Sequence, residues 1–183
     1  MLTSYNGYPF NIIPYQGAEE KCKEPLSQRV VKTLLSVVKN SKFHRIYMDN
    51  FFTSHRLMVR LQQKRFCATG TVRDNGMAKF PLISLKSLAK TERGTSDALF
   101  DKANKIAAVR WNDNRVVSLL TNFEVTKVLS KVQRRVKGGR KDVDAPFCVT
   151  SYNKYKNGVV LFDSHMENYF TSIKEKSGTG HFS

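Results

Sequence analysis

The stretch Arg45 to Asn75, RIYMDNFFTSHRLMVRLQQKRFCATGTVRDN, constrains the fold more than any other, because strand, acid, helix start and second strand follow one another without a break. Ile46 to Met48 is an apolar and aromatic run that delivers Asp49 at a strand end, where backbone pairing can hold a carboxylate in a fixed position. Thr53 or Ser54 can cap a helix, and Leu57, Met58 and Leu61 fall on one face of it. Phe66 to Val72 returns to β-type residues before the polar break Arg73-Asp74-Asn75. The pattern is β-α-β with an acid at its first turn.

The flanks extend this unit in both directions. Met1 to Gly17 is rich in Tyr, Phe and Ile and reads as one long strand or two short ones, so the chain is expected to begin inside a sheet, as a truncated product would. Pro25 can start a helix with Leu26, Val30, Val31, Leu34, Leu35 and Val38 as its apolar stripe, ending near Asn40. Beyond Asn75, Gly76 to Pro81 is loop-like, and Leu82, Leu85 and Leu88 suggest a short helix stopped by Arg93-Gly94. Ser96 to Phe100, Ile106 to Trp111 and Val116 to Asn122 are three β-type runs separated by turn-forming segments, an antiparallel meander with Trp111 as its packing anchor. Phe147 to Tyr155 resumes an ordered pattern, and Val159 to Phe170 reads as a helix.

Charge sets the expected partner. The net charge of +16 favours a polyanion, with nucleic acid the first candidate and an anionic membrane surface the second. Lys127, Lys131, Arg134, Arg135, Lys137, Arg140 and Lys141 form a block that no acid interrupts, either a mobile solvated segment or a phosphate-contacting one. No run approaches the roughly 20 apolar residues of a membrane span, and the first residues lack a secretory pattern, so the chain reads as intracellular. Cys22, Cys67 and Cys148 are widely spaced with no histidine at finger spacing, which argues against zinc. His44, His55, His165 and His181 read as surface or boundary residues. Phe51 and Phe52 read as core. Gly70-Thr71-Val72-Arg73 lacks the spacing of a phosphate loop, so no nucleotide cofactor is expected.

YMDNFFTS (Tyr47 to Ser54), ATGTVRDN (Ala68 to Asn75) and YNKYKNGVVLFDSH (Tyr152 to His165) closely resemble the piggyBac family of DNA transposases and their domesticated derivatives. GYPFNIIPYQG, ERGTSDALFD and VRWNDNRVVSLLTNF support the resemblance in the same order. It implies an α/β fold, an RNase H-like mixed sheet with flanking helices, interrupted by a mostly β insertion domain. Residues 1–75 would supply the first part of that core, 76–146 the insertion with its basic segment, and 147–183 the returning helix. The family's chemistry is DNA cleavage and strand transfer at TTAA sites by three aspartates that bind two divalent cations, normally Mg²⁺. A nuclear location and DNA as partner follow from the resemblance, which also leaves a homodimer open.

Carried over residue by residue, Asp49 matches the family's second catalytic aspartate. An acid expected near Thr3 or Ser4 is missing, and Val160 stands where the third block should carry its aspartate. Asp163 is that block's surviving acid. Asp49 and Asp163 are therefore the candidate catalytic and metal-binding residues. Arg73, Lys127, Lys131, Arg134, Arg135, Lys137, Arg140 and Lys141 are the candidate DNA contacts. The expected function is that of a transposase-derived, catalytically impaired DNA binder; the alternatives are an active transposase and a non-functional remnant.

Overall fold

The computed structural model describes residues 1–14, 24–136 and 138–169. The expectations for Lys137, Cys22, His181 and the tail from residue 170 onward lie outside the described residues. Two short strands form at the start of the chain: β1 (Leu2–Thr3) pairs antiparallel with β2 (Pro9–Asn11) in a sheet of their own. Helix α1 (Leu26–Leu34) follows Pro25 and tightens into a 3₁₀ turn over Leu35–Val37. Val31, Leu34 and Leu35 of the expected stripe are buried, whereas Leu26 is exposed.

The β-α-β unit forms as its pattern dictates. Strand β3 (Arg45–Met48), helix α2 (His55–Gln63) and strand β4 (Cys67–Thr71) follow one another, with the two strands parallel and Ile46 opposite Ala68. Ser54 is the cap, its hydroxyl accepting from the Leu57 amide at 3.3 Å. Leu57, Met58 and Leu61 are all buried. The short helix α3 (Leu85–Leu88) leads to the meander β5 (Ser96–Asp101), β6 (Ile106–Asn112) and β7 (Val116–Thr121).

That meander is not a separate sheet. The strand order is β3-β4-β7-β6-β5, with β7 antiparallel to β4 and Thr69 opposite Thr121. The Thr69 and Thr121 hydroxyls bond at 2.7 Å, and the Asn122 side chain accepts from the Ala68 amide and donates to the Phe66 carbonyl. The sequence reading opens a new domain near residue 76. The pairing of β7 with β4 joins partners about fifty residues apart and leaves no trace in any local window.

Period-2 alternation divides the sheet between two cores. Ile106, Ala108 and Leu120 face α1 and α2 with Ile46, Met48 and Ala68. Val109, Trp111 and Leu119 face the other way, against Val143, Ala145, Cys148, Val149 and Tyr152. These last residues come from β9 (Gly139–Pro146) and α4 (Phe147–Tyr155), before the final helix α5 (Gly158–Tyr169). Trp111 anchors this second core: its side chain is fully enclosed and its indole N–H donates to the Asp144 carbonyl at 2.8 Å.

The basic block is an antiparallel hairpin rather than an irregular mobile segment. Strand β8 (Leu129–Val136) pairs along its whole length with β9, and Gly138 takes φ +99° in the turn. Beside the second core, the Ser151 hydroxyl donates to Glu124 at 2.6 Å, and the Tyr47 hydroxyl lies 3.1 Å from the same oxygen. Burial pushes the Tyr47 phenol up to about 12 and, with the Glu124 charge adding to it, the Cys148 thiol up to about 12. Both groups stay neutral in the folded chain and ionise more readily once unfolded. Their contribution to stability is full below pH 9 and is lost as pH rises toward 12. Thermal melts across that range should show a falling midpoint, with a shallower fall in Cys148→Ala.

Candidate functional site

Asp49 sits one residue past β3, in a turn that its own backbone pins. The Asp49 carbonyl accepts from the Phe52 amide at 3.1 Å, the Thr53 amide at 3.2 Å and the Thr53 hydroxyl at 2.9 Å. The Thr53 side chain is buried because Gly70, on the neighbouring strand, leaves it room. A Cβ on Gly70 would lie 2.1 Å from the Thr53 hydroxyl oxygen and 2.9 Å from the Met48 carbonyl. Gly70→Ala should therefore cost about 1–3 kcal/mol of overpacking, more where the hydroxyl is also forced off the Asp49 carbonyl. Denaturant titration of the variant measures it.

The turn presents the Asp49 carboxylate to solvent. Its Oδ1 accepts from the Asn50 amide at 2.6 Å and from the Thr71 hydroxyl at 3.4 Å. The Tyr152 hydroxyl lies 3.3 Å from Thr71 Oγ1. A chain of hydroxyls thus runs from Tyr152 on α4 through Thr71 on β4 to the acid. Burial pushes the Tyr152 phenol up; the Thr71 bond works against this and the Asp49 charge reinforces it, so the phenol remains a donor at neutral pH. Asn50 also engages Arg73, accepting from its Nε at 3.2 Å.

Asp49 opens into a cavity of about 740 Å³ between the sheet end, the β6–β7 turn and α4. Three cations line it with the acid: Arg115, Arg134 and Lys156. Two of these escaped the sequence reading. Arg115 follows the turn residues Asn112-Asp113-Asn114, and Lys156 follows α4; only the long-range pairing of β6, β7 and α4 around Asp49 brings them there. Asp113 carries two guanidinium groups, Arg93 at 2.5 Å and Arg134 at 3.0 Å, which leaves the cluster net positive. Arg134 also lies over the Trp111 ring, 5.6 Å from its centroid.

The remaining expected residues fall in distinct places. Asp163 is exposed on α5 and is not part of the cavity wall around Asp49. Val160 on the same helix is 64% exposed. Lys127 is exposed just before the hairpin. Lys131 pairs across it with Asp144 at 2.6 Å, and Lys141 lies 4.0 Å from Glu92. Arg135 and Arg140 are exposed near its tip. Phe52 packs against the first core as expected, but Phe51 is 53% exposed, because the turn that aims Asp49 outward carries the next side chain with it. His55 is only half-buried and lies 3.2 Å from Asp101, as a boundary residue would.

A pair of divalent cations needs several carboxylates bridging and flanking them. The side chains bonded to the Asp49 unit are neutral or cationic, and among the described residues no group of three or more His, Cys, Asp or Glu could hold a metal ion. The residues described here do not fit a two-metal site.

The family model described as Transposase IS4 matches residues 1–182. Human piggyBac transposable element-derived protein 3 is 32% identical over 178 residues, covering 93% of this chain and 30% of that protein. Human piggyBac transposable element-derived protein 2 is 33% identical over 134 residues, 72% of this chain and 22% of that protein. A solved structure, the cryo-EM synaptic complex of piggyBac transposase with hairpin DNA, superimposes with a TM-score of 0.66 at 28% identity, covering 88% of this chain and 32% of that one. The chain thus spans less than a third of the length of these relatives. Among the described residues no helix is long and apolar enough to cross a membrane.

Proposed function

The chain belongs to the piggyBac transposase family, and from that membership we propose that it is a DNA-binding, catalytically impaired derivative of the transposase catalytic region. The observation that carries the binding half is the tip of the basic hairpin. Arg135 stands directly opposite Arg140, and both are exposed. Like charges facing each other across a sheet are destabilising, and a phosphate backbone laid along the tip removes that repulsion. Arg115 and Lys156 extend the same positive surface into the Asp49 cavity. The related piggyBac structure is itself a complex with DNA.

The impaired half rests on the isolation of Asp49. The family suggests divalent-metal chemistry, yet Val160 offers no ligand, Asp163 lies off the cavity wall, and Thr71 and Asn50 contribute only neutral groups. What these residues do is orient: Tyr152 and Thr71 hold the acid, and Asn50 couples it to Arg73.

A gel-shift with a random duplex, run beside a Mg²⁺-dependent nicking assay of the chain and of Asp49→Ala, tests both halves. The duplex should shift at about 50 mM salt, and nicking should stay at background in both proteins. Nicking that Asp49→Ala abolishes would overturn the impaired reading, and an unshifted duplex would overturn the binding reading.

A further inference from the structure

Asp113, in the β6–β7 turn, pairs with two arginines, and the backbone around it sets both within reach. The Asn112 amide donates to the Thr95 carbonyl at 2.8 Å, the Asn112 side chain to the Thr91 carbonyl at 3.0 Å, and the Gly94 amide to the Asn112 carbonyl at 2.7 Å. These bonds lay residues 91–95 against the end of β6 and bring Arg93 beside the turn. Arg93 donates to Asp113 Oδ1 through Nε at 2.7 Å, and Arg134 donates through Nε to Oδ2 at 3.0 Å, so each carboxylate oxygen takes one guanidinium. Arg93 Nη1 continues to the Arg135 carbonyl at 3.4 Å. Two successive residues of β8 are thus tied to one carboxylate, Arg134 directly and Arg135 through Arg93. We propose that Asp113 is a positioning residue for phosphate recognition, an acid that strengthens the binding of a polyanion by holding Arg134 in one orientation at the Asp49 cavity. This role rests on the DNA-binding reading.

Arg134 is fixed on two sides. Its guanidinium lies over the Trp111 ring, 5.6 Å from the centroid, and Asp113 holds its Nε. A guanidinium has five N–H donors, of which Asp113 takes one and the Gln133 carbonyl, at 3.4 Å, a second. The others are left for a guest in the cavity that Arg134 lines with Arg115 and Lys156. A planar fork that is already immobile gives up little rotamer freedom when phosphate oxygens dock on it. Asp113 also repels phosphate, and the two effects can be compared. A unit charge about 7 Å from a phosphate in water weakens binding roughly threefold, and less once salt screens it. Without the acid, Arg93 and Arg134 must both be ordered on binding, which weakens it about five- to a hundredfold. The hold outweighs the repulsion.

Gel-shift titrations of a random duplex at about 50 mM salt test this with variants of equal charge change. Asp142 is exposed on β9 and holds no arginine among the described residues, so Asp142→Asn should tighten binding about two- to threefold. Asp113→Asn removes the same charge and should weaken binding about fivefold or more. Arg134→Lys keeps its charge but loses the fork and the stacked plane, and should also weaken binding about fivefold. Combined with Asp113→Asn it should cost little more, because both changes remove the same ordered guanidinium. Tighter binding by Asp113→Asn, undiminished binding by Arg134→Lys, or full additivity of the two would each overturn the positioning role while the DNA-binding reading stands. A duplex left unshifted by the unsubstituted chain would overturn both.

Discussion

Trp111→Ala should lower stability by about 3–5 kcal/mol, a large part of the 5–15 kcal/mol a domain of this kind has. The side chain is 1% exposed and sits where β6 meets β9 and α4, so its removal leaves a cavity the sheet cannot close. The indole bond to Asp144 and the stacking of Arg134 are lost with it. For a chain of this length the melting midpoint should fall by about 2–4 °C per kcal/mol, roughly 6–20 °C in total. Trp111→Phe keeps most of the packing and should cost distinctly less. Because Tyr152 lies in the same core and supports Thr71, the large variant should also loosen the Asp49 turn, seen as faster exchange of the Asn50 amide. A midpoint within a degree of the unsubstituted chain would show that the second core does not depend on Trp111.

The second large effect is on DNA affinity. If the hairpin tip and cavity rim neutralise about six phosphates, affinity for a random duplex should fall by about 10³ between 50 and 200 mM salt. Arg135→Gln with Arg140→Gln removes the opposed pair and should reduce the logarithmic salt slope by about two, uniformly across sequences. The same double variant should leave the fold intact or stabilise it by about 0.2–1 kcal/mol, because the repulsion across the strands is gone. Loss of affinity with gain of stability is a combination that damage to the fold cannot produce. A salt slope unchanged in the variant would place DNA elsewhere on the surface.

The sequence exposed those parts of the fold whose signal is local. The alternation through Ile46 to Met48, the Ser54 cap and the helical spacing of Leu57, Met58 and Leu61 lie within a few residues of one another and mark β3, α2 and β4 directly. The three runs from Ser96 to Asn122 were equally readable as strands. Their attachment to β4 was not, because it depends on Thr121 and Asn122 meeting Thr69, Ala68 and Phe66 from far along the chain. The hairpin over Leu129 to Pro146 was hidden for another reason. Its outward positions are filled with Lys and Arg, so hydrophobic alternation is weak, although Gly138-Gly139 marks the turn. At the site, the motif revealed Asp49, whereas Arg115 and Lys156 carry no motif and join it only through topology. Asp163 is the converse case, a motif position that is exposed on α5 and does not line the cavity around Asp49.

The close fit of Thr53 into the space above Gly70 also limits the order in which this chain can change over generations. An alanine at Gly70 meets the Thr53 hydroxyl at once, while a smaller residue at Thr53 removes the nearer of two obstacles and a bond to the Asp49 carbonyl, leaving the Met48 carbonyl 2.9 Å from the new Cβ. Drift at Gly70 therefore needs both the loss of Thr53 and a shift of the Met48 carbonyl, and the first step already loosens the acid. Once both have changed, restoring Thr53 alone brings back the collision, so the pair works as a ratchet: a lineage that has passed through it regains the original turn only by reverting Gly70 first.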